Sequence, residues 1–234
     1  MTQILKLMKM IPLAAVLAVP AKAGDDFEER VIEAILNNPE IVLLALERMQ
    51  DAQDADDKAQ VEAQIAAEAQ ALFGGPEQYE LLEFFDYRCS YCSEAAETIR
   101  SLDDVHAQKI RLLEFPILGE ASHEIAKVSR AVRNVYGAGA YVEFHNAVFE
   151  RSGRINNSAA ALRLAEELSL DRGVLERAAS DSVIEEELLR NRRLAVKLGI
   201  SGTPAFVSRD LIHEGVMDAK DIVKVLLRKD DNMK

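Results

Sequence analysis

Cys89 and Cys92 are the only cysteines in a chain of 234 residues, and Ser90 and Tyr91 separate them in the stretch FDYRCSYC. Two thiols at that spacing can form a reversible disulfide, supply half of a metal site, or staple the chain. A staple is the poorest use. Cross-link stabilisation grows with the loop that is closed, and two intervening residues constrain little of the unfolded chain. A self-contained zinc site needs further ligands. His106, His123, His145 and His213 lie far apart, without the short pairing of a zinc motif. A metal site assembled in the fold or across subunits stays open, as does Cu(I) held by the two soft thiolates.

The elements around the pair decide what the thiols can do. Upstream, Tyr79 to Phe85 (YELLEFF) is a short apolar and aromatic run, the pattern of a buried strand. Downstream, Ser93 to His106 is rich in helix formers, with Ala96, Ile99 and Leu102 on one stripe. Strand, CxxC, helix is the resulting order. It places Cys89 at a helix N-terminus, where free N–H groups and the helix dipole favour the thiolate, the reactive form. Cys92, one turn further in, is more shielded and suited to resolving a mixed disulfide. Glu83 interrupts the strand. It is either an outward-facing position on a strand with one wet face, or a buried acid able to exchange protons with Cys92.

The N-terminus bears on the redox environment. Lys6 and Lys9 precede an apolar run from Met10 to Val19, followed by Ala21-Lys22-Ala23. That is the order of a secretory signal peptide over residues 1–23, too short in its apolar part for a membrane anchor. Removing it takes away three lysines and no acid, so the net charge of −12 becomes still more negative. Such a surface repels nucleic acid and anionic lipid. The expected location is the periplasm or an equivalent oxidising space, where paired cysteines can exist as a disulfide.

Residues 24–75 read as a helical arm without Cys or His. Phe27 to Met49 is amphipathic and broken at Asn38-Pro39, whereas Gln50 to Gln60 has only alanine as apolar content. Apolar residues return at Val61, Ile65 and Leu72, and Gly74-Gly75-Pro76 reads as a hinge. The apolar stripes must dock on the main domain or pair with other copies, and self-association is the favoured reading. From residue 76 onward the main domain is α/β. Strands at Lys109–Phe115, Ala205–Ser208 and Leu211–His213 enclose a helical block at about 118–198, and a helix from about Asp218 to Lys229 closes the chain. Thr203-Pro204 immediately precedes the returning strand, as an ordinary turn or as a cis X-Pro bond.

These stretches resemble the DsbA family of thioredoxin-fold, exported thiol-disulfide oxidoreductases, and within it the ScsC/Com1-like group with an N-terminal helical arm. The resemblance rests on NNPEIVLLAL (Asn37–Leu46), LLEFFDYRCSYC (Leu81–Cys92), EFPILGEAS (Glu114–Ser122) and LAVKLGISGTPAFV (Leu194–Val207). It implies a thioredoxin-like fold with an inserted helical domain. It implies Cys89 as attacking cysteine, Cys92 as resolving cysteine and Glu83 as the buried proton-relaying acid. Thr203 and Pro204 would be the cis-proline loop that holds the client backbone by strand-like pairing, with Tyr91 beside it. No cofactor and no metal are implied. The expected partners are cysteine-containing secreted proteins and a membrane redox partner of the DsbB or DsbD type. Ser90-Tyr91 lacks the histidine of strongly oxidising members, and Tyr91 and Thr203 resemble disulfide isomerases, so the direction of electron flow is left open. The other class of function is a copper-binding or metal-stress protein using the same thiols without turnover.

Overall fold

The computed structural model describes residues 23–74, 79–151 and 153–228. Residues 1–22 of the expected leader, Gly75 and Pro76 of the expected hinge, and Lys229 lie outside the described residues. The chain divides into two units at residues 53 and 54.

The first unit contains helix α1 (Ala23–Asn37) and the beginning of helix α2 (Glu40–Phe73). The break falls at Asn38-Pro39, where proline brings no N–H to a helix and the Asn38 side-chain amide donates to the Ala34 carbonyl at 2.8 Å. Phe27, Ile32, Leu36, Leu43, Leu46 and Met49 are all exposed. The polar stretch Gln50 to Gln60 is helical and exposed throughout.

The second unit is built on a four-stranded sheet in the order β2-β1-β3-β4, with β1 at Leu81–Phe85, β2 at Ile110–Glu114, β3 at Ala205–Val207 and β4 at Ile212–Glu214. β1 and β2 are parallel, and the other pairs are antiparallel. A parallel pair needs a crossover, supplied by α3 (Ser90–Arg100) and the short α4 (Asp104–Ala107). The single helix expected from Ser93 to His106 is therefore two, because Asp103 caps a new start by accepting from the His106 amide at 3.0 Å. Between β2 and β3 lies the helical block: α5 (Glu120–Glu150), α6 (Ser158–Glu167), α7 (Arg172–Ala179) and α8 (Ser182–Lys197). α9 (Ala219–Leu226) follows β4.

Local chemistry sets these boundaries. Asn157, Asp171, Asp181 and Asp218 each accept a backbone N–H as the N-cap of the following helix. α8 is closed off by Gly199, two residues past its end, whose φ of 70° suits a residue without Cβ and lets Ile200 N–H return to the Ala195 carbonyl at 2.9 Å. Gly137, with φ of 86°, interrupts α5.

All five residues of β1 are buried, because helices cover both faces of the sheet. Leu82 and Phe84 pack with Ile65, Leu72 and Phe73 of α2 and with Leu194, Ala195 and Leu198. Leu81 and Phe85 point the other way, toward Ala95 and Ala96 of α3. Strand alternation puts Glu83 on that same face, beneath α3. The fold is thus a mixed α/β sheet of thioredoxin-like type with an inserted helical domain. Among the described residues, no helix is long and apolar enough to cross a membrane.

Candidate active site

Cys89 is the N-cap of α3, in extended conformation, and its sulfur accepts the Cys92 backbone N–H at 3.3 Å. The Cys89 thiol in turn points at the Thr203 carbonyl, 3.2 Å away. Both cysteines are free thiols. Their environments differ. A hydrogen bond from the Cys92 thiol is the largest influence on Cys89, and with the Thr203 side chain and the Cys92 and Tyr91 amides it outweighs burial and holds the thiol down at about 6. At Cys92, burial pushes the thiol well up, assisted by the hydrogen bond to Cys89 and the nearby Glu83 carboxyl. Cys92 has no exposed surface, whereas Cys89 retains 7 %.

The loop opposite is shaped by the cis peptide bond between Thr203 and Pro204. Glu214 of β4 and Gly215 just after it hold the loop in place. The Gly215 amide donates to the Pro204 carbonyl at 2.8 Å, and one Glu214 carboxylate oxygen accepts the amides of Ser201 and Gly202 at 3.2 and 2.9 Å. Tyr91, in the first turn of α3, is largely exposed.

Glu83 lies in the middle of β1 and is fully enclosed, so the outward-facing reading of this position does not hold. Neither carboxylate oxygen has a hydrogen-bond partner among the described residues. Burial, with a lesser contribution from Cys89, pushes its carboxyl up to about 8.

Two groups near the pair have no counterpart in the sequence pattern. Asp86 is buried, and its carboxylate accepts three backbone amides: Arg88 at 2.7 Å, Ile117 at 2.8 Å and Leu118 at 2.9 Å. Tyr87, also buried, is within 2.6 Å of the Ser129 hydroxyl and 3.3 Å of His145 Nδ1. Ser129 donates to Glu114 Oε1 at 3.1 Å. With the Ser129 proton on Glu114, the Tyr87 hydroxyl must donate to Ser129 and His145 Nδ1–H to Tyr87, a one-way chain. His145 sits among Phe85, Tyr87 and Phe149, and burial holds it down at about 3, hence neutral. Arg130 lies 3.6 Å from the far oxygen of Glu114 and is itself held by Glu187 at 3.0 Å. The signal for Glu114 was available: like Glu83, it is an acid inside an apolar run, KIRLLEF.

A dithiol capping the first helix after the central strand, faced by a cis-proline loop, is the arrangement of a thioredoxin-fold chain, here with a helical domain between β2 and β3. Residues 80–226 match the family model of the DSBA-like thioredoxin domain, and the chain belongs to that family. A thioredoxin-like oxidoreductase from Silicibacter pomeroyi is 32% identical, over 67% of this chain and 94% of that one, with a TM-score of 0.59. The thiol-disulfide exchange protein alpha-DsbA2 from Wolbachia pipientis is 24% identical over 72% and 95%, with a TM-score of 0.64. A linker-deletion mutant of ScsC from Proteus mirabilis is 20% identical over 91% and 97%, with a TM-score of 0.61. The comparison with curated proteins finds no match.

Proposed function

We propose that the protein is an exported thiol-disulfide oxidoreductase acting on cysteines of other secreted proteins, with Cys89 and Cys92 as its redox pair. The observation that carries this reading is the pair's asymmetry. One sulfur caps a helix with its thiol held at about 6, and the other is sealed and pushed up.

In the reducing direction, the Cys89 thiolate attacks a client disulfide, forming a Cys89–client bond and releasing one client thiolate. Cys92 then loses its proton and attacks the Cys89 sulfur. The second client thiol leaves, the client has gained two electrons, and the Cys89–Cys92 disulfide remains. Oxidation is the same sequence reversed. Glu83 is suited to take and return the Cys92 proton, because a carboxyl held near 8 exchanges protons readily at neutral pH. Thr203 and Pro204 would pair with the client backbone, as a strand adds to a sheet edge. Tyr91 offers an exposed aromatic surface to the same client.

The segment 24–75 is proposed to join copies of the chain. The exposed apolar residues from Phe27 to Met49 support this, since such stripes on amphipathic helices are stabilised by pairing. Several active sites on one assembly favour isomerase or reductase behaviour toward a misfolded client. The leader pattern of residues 1–23 supports a periplasmic location, with a membrane redox partner of the DsbB or DsbD type returning the pair to its working state.

Turnover tests the reading. The mature protein is expected to oxidise a reduced dithiol peptide or to reactivate scrambled ribonuclease, and Cys89→Ser to do neither. Tight Cu(I) binding at the pair without either activity would instead establish the copper-binding class.

A further inference from the structure

The turn carrying Cys89 is short, and one residue touches most of its polar groups. The Asp86 carbonyl accepts the Cys89 amide at 3.0 Å, closing a tight turn over Tyr87 and Arg88. One Asp86 carboxylate oxygen accepts the Arg88 amide inside that turn, at 2.7 Å. The Asp86 backbone amide faces the Cys92 sulfur and opposes the upward push on that thiol. The second carboxylate oxygen leaves the turn altogether and takes the Ile117 and Leu118 amides of the β2–α5 connection at 2.8 and 2.9 Å. A buried carboxylate with three N–H donors is strongly oriented, because bonds to an ionised acceptor are the stronger kind and a lost one leaves a donor without a partner.

Stabilisation of the Cys89 thiolate depends on its sulfur standing, as the cap of α3, where the Cys92 thiol, the Thr203 side chain and the Cys92 and Tyr91 amides all reach it. That placement is fixed from the N-terminal side by the turn, and the turn is fixed by Asp86. We propose that Asp86 is a positioning residue that ties the CxxC turn to the Ile117–Leu118 loop and thereby sets the reactivity of Cys89. Asp86 touches neither client nor reacting proton in this role. It acts through backbone geometry.

The role makes a prediction of unusual sign. Deleting a nearby negative charge would, by Coulomb interaction alone, make a thiolate easier to form. Loss of positioning makes it harder. Asn at this position offers one carbonyl oxygen where a carboxylate offers two, and its NH₂ opposes an N–H donor, so the two loops can no longer both be held.

The inference rests on the redox reading of Cys89, but its test does not need turnover. Iodoacetamide alkylation of Cys89 in the full reduced chain, followed across pH by mass spectrometry, reads thiolate formation without a client. In Asp86→Asn and Asp86→Ala the profile is expected to move to higher pH, with the rate below the wild-type midpoint falling about tenfold per unit moved. Leu175→Ala, a buried residue of α7, serves as a destabilised control that should keep the wild-type profile. If Asp86→Ala does not fold, Asp86→Asn decides. An unchanged profile, a shift to lower pH, or an equal shift in Leu175→Ala overturns the proposal. Failure of client turnover with the alkylation shift intact would instead count against the oxidoreductase reading alone.

Discussion

The Cys92 backbone N–H lies 3.3 Å from the Cys89 sulfur, so each cysteine governs the other's chemistry before any disulfide forms. The first thiolate is held by its partner's amide and thiol, and the same contact raises the cost of ionising the second. The proposed order, attack by Cys89 and resolution by Cys92, rests on that inequality.

Alkylation of the reduced protein should therefore be single and pH-dependent. Cys89 is expected to react with a midpoint near 6, where its thiol is held, rather than near the ordinary 9. Reactivity rises as pH climbs through the midpoint and then levels, while Cys92 stays unmodified until the protein unfolds. Mass spectrometry of digests after timed alkylation checks both points.

Replacing Thr203 by valine keeps shape and removes a hydroxyl that helps hold the Cys89 thiol down. The midpoint should rise by roughly one unit, as expected for the loss of one hydrogen bond to the charged form. Ultraviolet absorbance of the thiolate, titrated for both proteins, measures the shift. An unaltered midpoint would show that the Cys92 thiol and the backbone donors suffice without the Thr203 hydroxyl.

Glu83→Gln should slow thiol exchange about tenfold or more, as removal of a proton-transfer group does, with the fold retained. Stability carries a second signature. A carboxyl raised to about 8 from an ordinary 4.5 favours the folded state in full below 4.5 and loses that contribution as pH rises through 8. In the disulfide form, where Cys89 no longer ionises, the wild type should lose up to about 5 kcal/mol more than Glu83→Gln across this window. Denaturant unfolding at several pH values provides the comparison.

Arg130→Ala strips the buried Glu114 carboxyl of its guanidinium neighbour. Removing one partner of a buried pair typically costs about 3–5 kcal/mol, so thermal unfolding should fall sharply. Arg130→Ala with Glu114→Gln should recover much of the loss, because the orphaned charge is gone.

Deleting residues 24–53 should lower the mass measured by light scattering to that of a single chain. Residues 61–73 are left in place because Ile65, Leu72 and Phe73 belong to the core beneath β1. A single-chain mass for both the full-length and the shortened protein would refute self-association.

Strand, dithiol and helix were legible because each is a local pattern: YELLEFF reads as a buried strand, and the helix stripe at Ala96 follows from spacing. From its local pattern Glu83 was legible only as a choice between two faces, and the family resemblance favoured the buried one. Which one holds depends on α3 and α9 covering the same side of the sheet, a fact no short window contains. Asp86 and Glu114 were harder still. The partners of Asp86 stand at Ile117 and Leu118, and Tyr87 meets Ser129 and His145 from across the chain. Periodicity reports which face of an element is apolar, not which polar atoms meet when faces close. The N-caps at Asn157, Asp171 and Asp218 are local by contrast, since donor and acceptor lie within one turn.

The sealed sulfur of Cys92 has one further consequence. With only Cys89 reachable, every covalent bond to another chain must be made at a single address, and only Cys92 can cut it from inside. In Cys92→Ala that internal release is lost. The chain becomes a covalent recorder, each molecule carrying the last partner it met, and the partners can be identified from the peptides joined to Cys89.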